Sequence, residues 1–572
     1  MHMQSQFVPT IAISSARTSR KIAFKFSSLL MLAFASLTIA QTCSNPSAPS
    51  YGPYKDTFHH GVPAWSPGDR EIIYSEIYTR RTAAHLLRVA SNGGKSTSLF
   101  PGESFTAAAA WSPDAKHIAF SREMPDGTHI WISDARGKEL HELAHSANGP
   151  DLTPAWSPNG NRIAYTSVRG TTPEIMVAPT DGTPGTSIGT GFRPRFSPDG
   201  SSISYTAAVP EFGSQKWAVY IKQIGGGKPR MLTSSKGLIT GWPSGADWSP
   251  DGRQIVFVRH VQDGGELLLI DVNTDRVDRT IALEGLPLDP AWSHDGRKIA
   301  FMLQTSRHQG EIQVVQIDTD KVTSVTRQKQ HVSARLVSYP ALDGQSISAY
   351  LYEPARKNHC GGGLLWIHGG EPAMNSIGFG FVAEIQYFAD NGFTVMVPDF
   401  RPGHESSDIH AAAVYLHSSR GIDAKRIGLV GLSFGGYLSL LTASKYPGAF
   451  AAVVDFFGPT DLAALYHDAK PFQAAIAHRV GGSPEEKPED YNYWSRRTIV
   501  DGISSPVLIL HGTSDEVIPI RHSIALSDAL QQAGKPVRFV KLTSGHGFSA
   551  EDDMKAFPEA AAFLRKYLRS GT

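Results

Sequence analysis

The stretch RIGLVGLSFGGYLSLLTASKY, Arg426 to Tyr446, decides how the C-terminal half of this chain folds. Its first part, Ile427–Val430, is a short apolar run with β character. Its last part, Phe434–Lys445, carries apolar residues at helical spacing. Between them lies Gly431-Leu432-Ser433-Phe434-Gly435, a G-x-S-x-G pattern at a strand-to-helix turn. Such a turn holds a serine on strained backbone, with glycines where side chains would collide, and leaves Oγ exposed beside a helix N-terminus. The same pattern recurs at Gly185–Gly189. No helical run follows Ser187, so that copy reads as a glycine-rich loop.

Outward from Ser433, apolar β-runs alternate with helical patterns from about Val332 to the C-terminus. The β-runs are Leu364–His368, Phe393–Pro398, Ile427–Val430, Ala451–Asp455, Val507–Leu510 and Val537–Leu542, and a hairpin spans Leu336–Ala355. The helices include Phe379–Ala389, Ser407–Ser418, Phe434–Lys445 and Arg521–Ala533. Continuous apolar strands between helices predict a parallel sheet buried on both faces. A serine nucleophile needs a base and an orienting carboxylate, and α/β-hydrolases carry them in the order Ser, Asp, His. Asp515, in HGTSDEVIP, follows one apolar strand, and His546, in SGHGF, follows the next. Ser433, Asp515 and His546 thus fall at three strand ends of one sheet. The loop HGGEP after Leu364–His368 supplies an oxyanion donor. The backbone N–H of Phe434 and that of Gly370, or else Gly369, are the predicted pair.

The N-terminal half has a different grammar. PAWSPGDREIIYS at Pro63 recurs as related segments at Ala109, Pro154, Pro194, Ala246 and Pro290. The anchors Trp65, Trp111, Trp156, Phe196, Trp248 and Trp292 return roughly every 45 residues, the length of a four-stranded propeller blade. In the repeat an aromatic ends one strand, a turn of the Ser-Pro-Asp-Gly type reverses the chain, and the next strand alternates. Six copies predict about six blades, with the aromatics buried between them.

Composition narrows the classes. The chain has 572 residues and a formal net charge of +1, which gives no sign of a nucleic-acid or membrane-surface partner. Two cysteines, Cys43 and Cys360, exclude a disulfide scaffold and a cysteine-based zinc site, and whether they pair stays open. There is no paired-histidine helix motif and no Walker loop, so no metal or cofactor is implied. His59-His60 reads as a surface turn. Arg17, Arg20, Lys21 and Lys25 precede the apolar run Phe26–Ala40, too short to span a bilayer and suited to a secretory signal. An uncleaved anchor is the alternative, and lipidation at Cys43 fits less well. The expected organisation is a signal peptide over 1–40, a linker over 41–55, a β-propeller over 56–332 and an α/β-hydrolase domain over 333–572. The destination is secreted or periplasmic, with no membrane span after cleavage.

The repeat resembles the propeller repeats of TolB and of the prolyl oligopeptidase family. The segments GLSFGGY, HGG, DFFGPTDL, GGSPEE, HGTSDEVIP and GHGF resemble the catalytic domain of the same family, most nearly its acylaminoacyl-peptidase and dipeptidyl-peptidase branches. The resemblance implies a serine hydrolase of short peptides or acyl-amino acids, capped by its propeller. Three departures touch substrate recognition. Where the family often has a carbonyl-binding Arg, this chain has Val517; Arg401, Arg496 or a propeller residue are the substitutes considered. Glu371 stands between His-Gly-Gly and Pro372, either as an anchor for a substrate amine or as a solvated loop carboxylate. The segment DFRPGHESSDIHAAAVYL is shorter than usual. A carboxylesterase on the same scaffold is one alternative activity, and a propeller binding protein with a vestigial hydrolase is another.

Overall fold

The structure is a computed structural model of the whole chain. It describes residues 58–568, apart from 79–83, 103–105, 147–148, 170–171, 210–215, 233–238, 241–243, 262–263, 307, 329–331, 333, 355–361, 370–381 and 470–471. The signal, linker and cysteine expectations therefore lie outside the described residues, as do Gly370 and Glu371.

Six sheets succeed one another from Phe58 to Ser324, each built from consecutive antiparallel strands, and together they form the six-bladed propeller. The repeated serine explains much of the sequence motif. In the third blade Ser157 Oγ accepts the N–H of Arg162 at 2.9 Å and donates to Asn159 at 2.8 Å. Ser249 does the same with Gln254 at 2.9 Å and Asp251 at 2.6 Å. The anchor aromatics reach sideways: Trp156 Nε1 donates to Ala110 O of the preceding blade at 3.1 Å. Trp65 donates to Ala291 O at 3.0 Å, and Asp69 accepts the N–H groups of His294 and Asp295. These bonds close the first blade onto the sixth. Not all six aromatics are fully covered; Trp111 and Trp156 are half-buried.

Three residues before the aromatic, the innermost strand bulges. Val62, Ala108, Thr153, Arg193 and Asp289 occupy this position with φ near +50°, between 49° and 56°. In the fifth blade the place belongs to Gly245. The ladder slips here, for example between Ala107 and Ala110. The displaced amides bond to side chains of the preceding blade: Ala108 N–H to Ser75 Oγ at 2.9 Å, and Arg193 N–H to Thr166 Oγ1 at 3.0 Å. Non-glycine residues pay a local strain to adopt this backbone, and the inter-blade bonds hold them there. Ser187 lies in this domain on a strand, Thr186–Thr190, at the outer edge of the third blade, and not in the loop its glycines suggest. Gly185 precedes this edge strand and Gly189 lies within it, paired with Ile175, so the ladder outweighs the turn propensity.

The C-terminal domain is built on one sheet. Its strands are β1 (Ala334–Pro340), β2 (Ser346–Tyr352), β3 (Gly363–Ile367), β4 (Thr394–Pro398), β5 (Ile427–Leu432), β6 (Ala452–Phe456), β7 (Val507–Gly512) and β8 (Val537–Leu542). They run in the order β1-β2-β4-β3-β5-β6-β7-β8, antiparallel through β4 and parallel from β4 onward. Every residue of β3 to β7 is buried, as expected for a sheet covered on both faces. Side chains alternate: Leu365 and Ile367 join a core with the helices Glu405–Arg420 and Phe434–Lys445, while Leu364 and Trp366 join one with Val382–Asp390 and Ala550–Tyr567. Four short helices between Leu462 and Gly502, absent from the sequence reading, follow β6. Where the domains join, Gln386 bonds to both backbone groups of Val332 at 2.6 and 3.1 Å, and its amide reaches Ser306 O at 3.4 Å.

Candidate active site

The strand β5 ends at Leu432 and the helix begins at Phe434, leaving Ser433 to make the whole turn at φ 54° and ψ −127°. Its N–H donates to Phe456 O on β6 at 2.8 Å, which pins the turn. The glycines around it are obligatory. A Cβ on Gly431 falls 2.1 Å from Gly435 O, and one on Gly435 falls 2.1 Å from Ile367 O. A Cβ on Gly369 sits 2.9 Å from the Cβ of Ser433, so the loop after β3 lies directly against the serine.

Parallel strands deliver their following loops to the same rim of a sheet. The structure brings Ser433, Asp515 and His546 together there, after β5, β7 and β8. His546 Nε2 is 3.1 Å from Ser433 Oγ, and its Nδ1 is 2.9 Å from Asp515 Oδ2. The ring packs edge-on to Phe457 at 4.9 Å, and its side chain is 22% exposed, open on one side to an incoming substrate. Asp515 Oδ1 accepts the N–H groups of Val517 and Ile518 at 2.9 and 2.8 Å. Burial alone raises the Asp515 pKa. Hydrogen bonds from His511, His546 and the Ile518 amide more than offset it, leaving the carboxyl well below the usual range.

His511 is the neighbour that sequence reasoning missed. It is fully buried at the end of β7, with Nε2 2.8 Å from Ile518 O and 3.3 Å from Asp515 Oδ2. A carbonyl can only accept, so Nε2 carries the proton and Nδ1 accepts from Ser523 Oγ at 2.7 Å. The signal was a histidine closing an otherwise apolar strand, four residues before Asp515. Two further groups crowd the turn. Asp455 on β6 accepts the Gly458 N–H at 2.9 Å, and burial pushes its pKa up to about 7. Arg479 stacks over the Phe434 ring at 4.5 Å and pairs with the buried Glu405 at 2.6 Å.

Arg401 is placed elsewhere than the sequence reading suggested. Its guanidinium donates to both oxygens of Asp408 at 2.9 and 2.7 Å, and to Asp343 at 2.8 Å. A cation bound by two carboxylates, with four of its five N–H donors engaged, serves the packing of the Glu405–Arg420 helix. Arg496 opens the helix Arg496–Gly502. Val517, standing where the family often has arginine, packs against the apolar core and contributes its amide to Asp515.

A propeller followed by a hydrolase sheet with a serine on a strained turn defines the class. The family model described as prolyl oligopeptidase family matches residues 379–571, and the TolB β-propeller model matches 60–192 and 187–349. Over 248 residues the chain is 30% identical to the uncharacterized peptidase YtmA of Bacillus subtilis, covering 41% of this chain and 95% of that protein. It is 29% identical over 220 residues to dipeptidyl aminopeptidase BIII of Pseudoxanthomonas mexicana, spanning 34% of this chain and 31% of that one. The whole architecture superposes on the acylaminoacyl peptidase of Pyrococcus horikoshii with a TM-score of 0.69 at 14% identity, over 91% of this chain and 98% of that one. The chain belongs to the prolyl oligopeptidase family, and it is a serine peptidase.

Proposed function

We propose that this peptidase cleaves short peptides or acyl-amino acids through an acyl-enzyme on Ser433. His546 removes the hydroxyl proton as Oγ attacks the carbonyl carbon, then returns it to the leaving amine. Water then attacks the acyl carbon and loses a proton to the same imidazole, which passes it to Ser433 Oγ as the acyl–Oγ bond breaks and the acid leaves. Asp515 holds the proton of His546 on Nδ1 and stabilises the imidazolium. The amides of Phe434 and of Gly370, or Gly369, receive the oxyanion. The observation carrying this reading is one imidazole within hydrogen-bond reach of both a hydroxyl and a carboxylate. The propeller caps the site and limits substrates to oligopeptide size. The N-terminal apolar run makes the enzyme an exported one.

One observation favours a carboxylesterase as the second reading: Val517 replaces the carbonyl-binding arginine and Arg401 is engaged by Asp343 and Asp408. Parallel measurement of kcat/KM on aminoacyl anilides, acyl-aminoacyl anilides and short p-nitrophenyl esters separates the two. Amide turnover is the expected result. Ester turnover with no anilide cleavage at enzyme concentrations that consume the esters fully would make the esterase reading correct.

His511 gives a more local test. Its hydrogen bond to a charged carboxylate is of a kind worth about 1.5–3 kcal/mol. His511→Gln is therefore expected to lower kcat by roughly 10- to 100-fold, with KM little changed. Titrating active sites with a fluorophosphonate corrects for misfolded enzyme. The acid limb of the pH–rate profile should also move, because Asp515 loses a donor. A variant with normal kcat per labelled site would show that His511 only fills space.

A further inference from the structure

Blade 2 of the propeller carries a group of side chains that neither blade packing nor peptide hydrolysis uses. His129 sits near the start of its third strand, Gly127–Asp134, and Glu142 lies on its outer strand, His141–Ala144, with His145 just beyond. Antiparallel pairing brings residues thirteen or more apart into one cluster. His129 Nδ1 is 3.4 Å from Glu142 Oε1, and His145 Nδ1 is 2.7 Å from the same oxygen. One ligand atom from each residue lies within 4.8 Å of the others, and the two rings stack at 5.0 Å.

The His129 ring is the unusual member. It is 4% exposed, and neither nitrogen has a hydrogen-bond partner among the described residues. Carboxylates surround it instead. Asp126 Oδ1 stands 3.3 Å from Nε2, and the buried Asp151, on the first strand of the next blade, is close enough to feel the charge of both His129 and His145. The fixed cation acting on Asp151 is Arg169, itself 3.8 Å from Glu174. An enclosed imidazole without hydrogen bonds, amid excess negative charge, is costly unless a cation completes it.

We propose that His129, Glu142 and His145 bind a divalent transition cation of the zinc class. Two imidazoles and one carboxylate form a donor set suited to that ion. Bonds of about 2.0–2.1 Å in tetrahedral geometry place ligand atoms about 3.4 Å apart. The His129–Glu142 separation of 3.4 Å meets this, and the Glu142–His145 pair, exposed on its outer side, opens slightly to admit the ion. Asp126 then lies on the far nitrogen of His129, the usual arrangement of a carboxylate behind a metal-bound histidine. Asp126 belongs to the turn between the second and third strands of its blade. In blade 6 the same turn contains Ser306, which contacts Gln386 of the catalytic domain. The cation would thus lie on the propeller face turned toward that domain, with a coordination position left for water or a substrate carboxylate.

The test is calorimetric titration of untagged, chelator-stripped protein with ZnCl2, with Co2+ as a spectroscopic substitute. One ion per chain is expected, with visible Co2+ bands of four-coordinate intensity. Glu142→Gln and His145→Ala alter exposed side chains and should leave the fold intact by circular dichroism, yet each should weaken binding at least tenfold. Asp126→Asn should weaken it by about tenfold, acting through the orientation of His129. His467→Ala removes another surface histidine beside a glutamate and should change nothing. Absence of stoichiometric binding, or binding that survives both Glu142→Gln and His145→Ala, would overturn the site.

Discussion

Ser433→Ala is expected to abolish turnover, with kcat falling by about 10⁶-fold as when other serine hydrolases lose their nucleophile. Labelling by a fluorophosphonate should vanish with it. The variant should fold normally, because the change deletes one oxygen and leaves the backbone bonds of the turn: the amide of residue 433 still donates to Phe456 O, and its carbonyl still accepts from Gly436 N–H at 2.9 Å. The strained φ of 54° is also kept, so any stability change should be small. That separation matters, since it makes loss of activity a statement about chemistry. A variant that keeps full peptidase activity would remove Ser433 from the mechanism altogether. Ser187 is the internal control: it lies on an outer propeller strand, and Ser187→Ala should leave every rate unchanged.

Much of this was legible in the sequence because the elements concerned obey local rules. Val537–Leu542 and Phe434–Lys445 occupy the spans their periodicity predicts. The blade repeat is legible because each copy makes the same turn with the same serine, closed by a glycine in four copies and by Asp69 and Ala115 in the first two. What the sequence did not disclose depends on pairing across distance. His511 reads as the polar end of a strand until β7 and the loop before Ile518 fold its ring against Asp515. Arg401 reads as a free cation because Asp343 lies 58 residues away and becomes its partner only through the first hairpin. His129 and His145 show no metal-binding spacing, since strand pairing and not helical periodicity brings them together. The left-handed bulge before five of the anchor aromatics was also hidden, because Val62 and Thr153 are residues that propensity assigns to extended backbone.

These features bear on how the site is held. Ser433 is fixed by β6, Asp515 by its own loop amides, and His546 by Phe457 and the carboxylate. Ser433 is thus positioned without help from Asp515, so a change at the carboxylate should leave the serine nearly in place. That independence makes an isosteric substitution at the carboxylate informative.

Asp515→Asn is such a change, and kcat is expected to fall by about 10⁴-fold. The Val517 and Ile518 N–H groups both point at Oδ1, so the amide oxygen of asparagine must take that place. Its NH2 group then replaces Oδ2, facing His546 Nδ1 at 2.9 Å and the protonated Nε2 of His511 at 3.3 Å. Towards His546 a donor replaces an acceptor, which forces Nδ1 to be unprotonated and moves the ring proton to Nε2. A protonated Nε2 cannot accept the Ser433 hydroxyl proton across 3.1 Å, so the base is lost although every atom stands where it did. Towards His511 two donors now meet, so modest destabilisation should accompany the kinetic loss. KM for a small ester should stay within a few-fold, because the binding surfaces are untouched. If Asp515→Asn kept more than a tenth of the wild-type kcat, Asp515 would be an ordinary loop carboxylate and His546 would need another residue to set its tautomer.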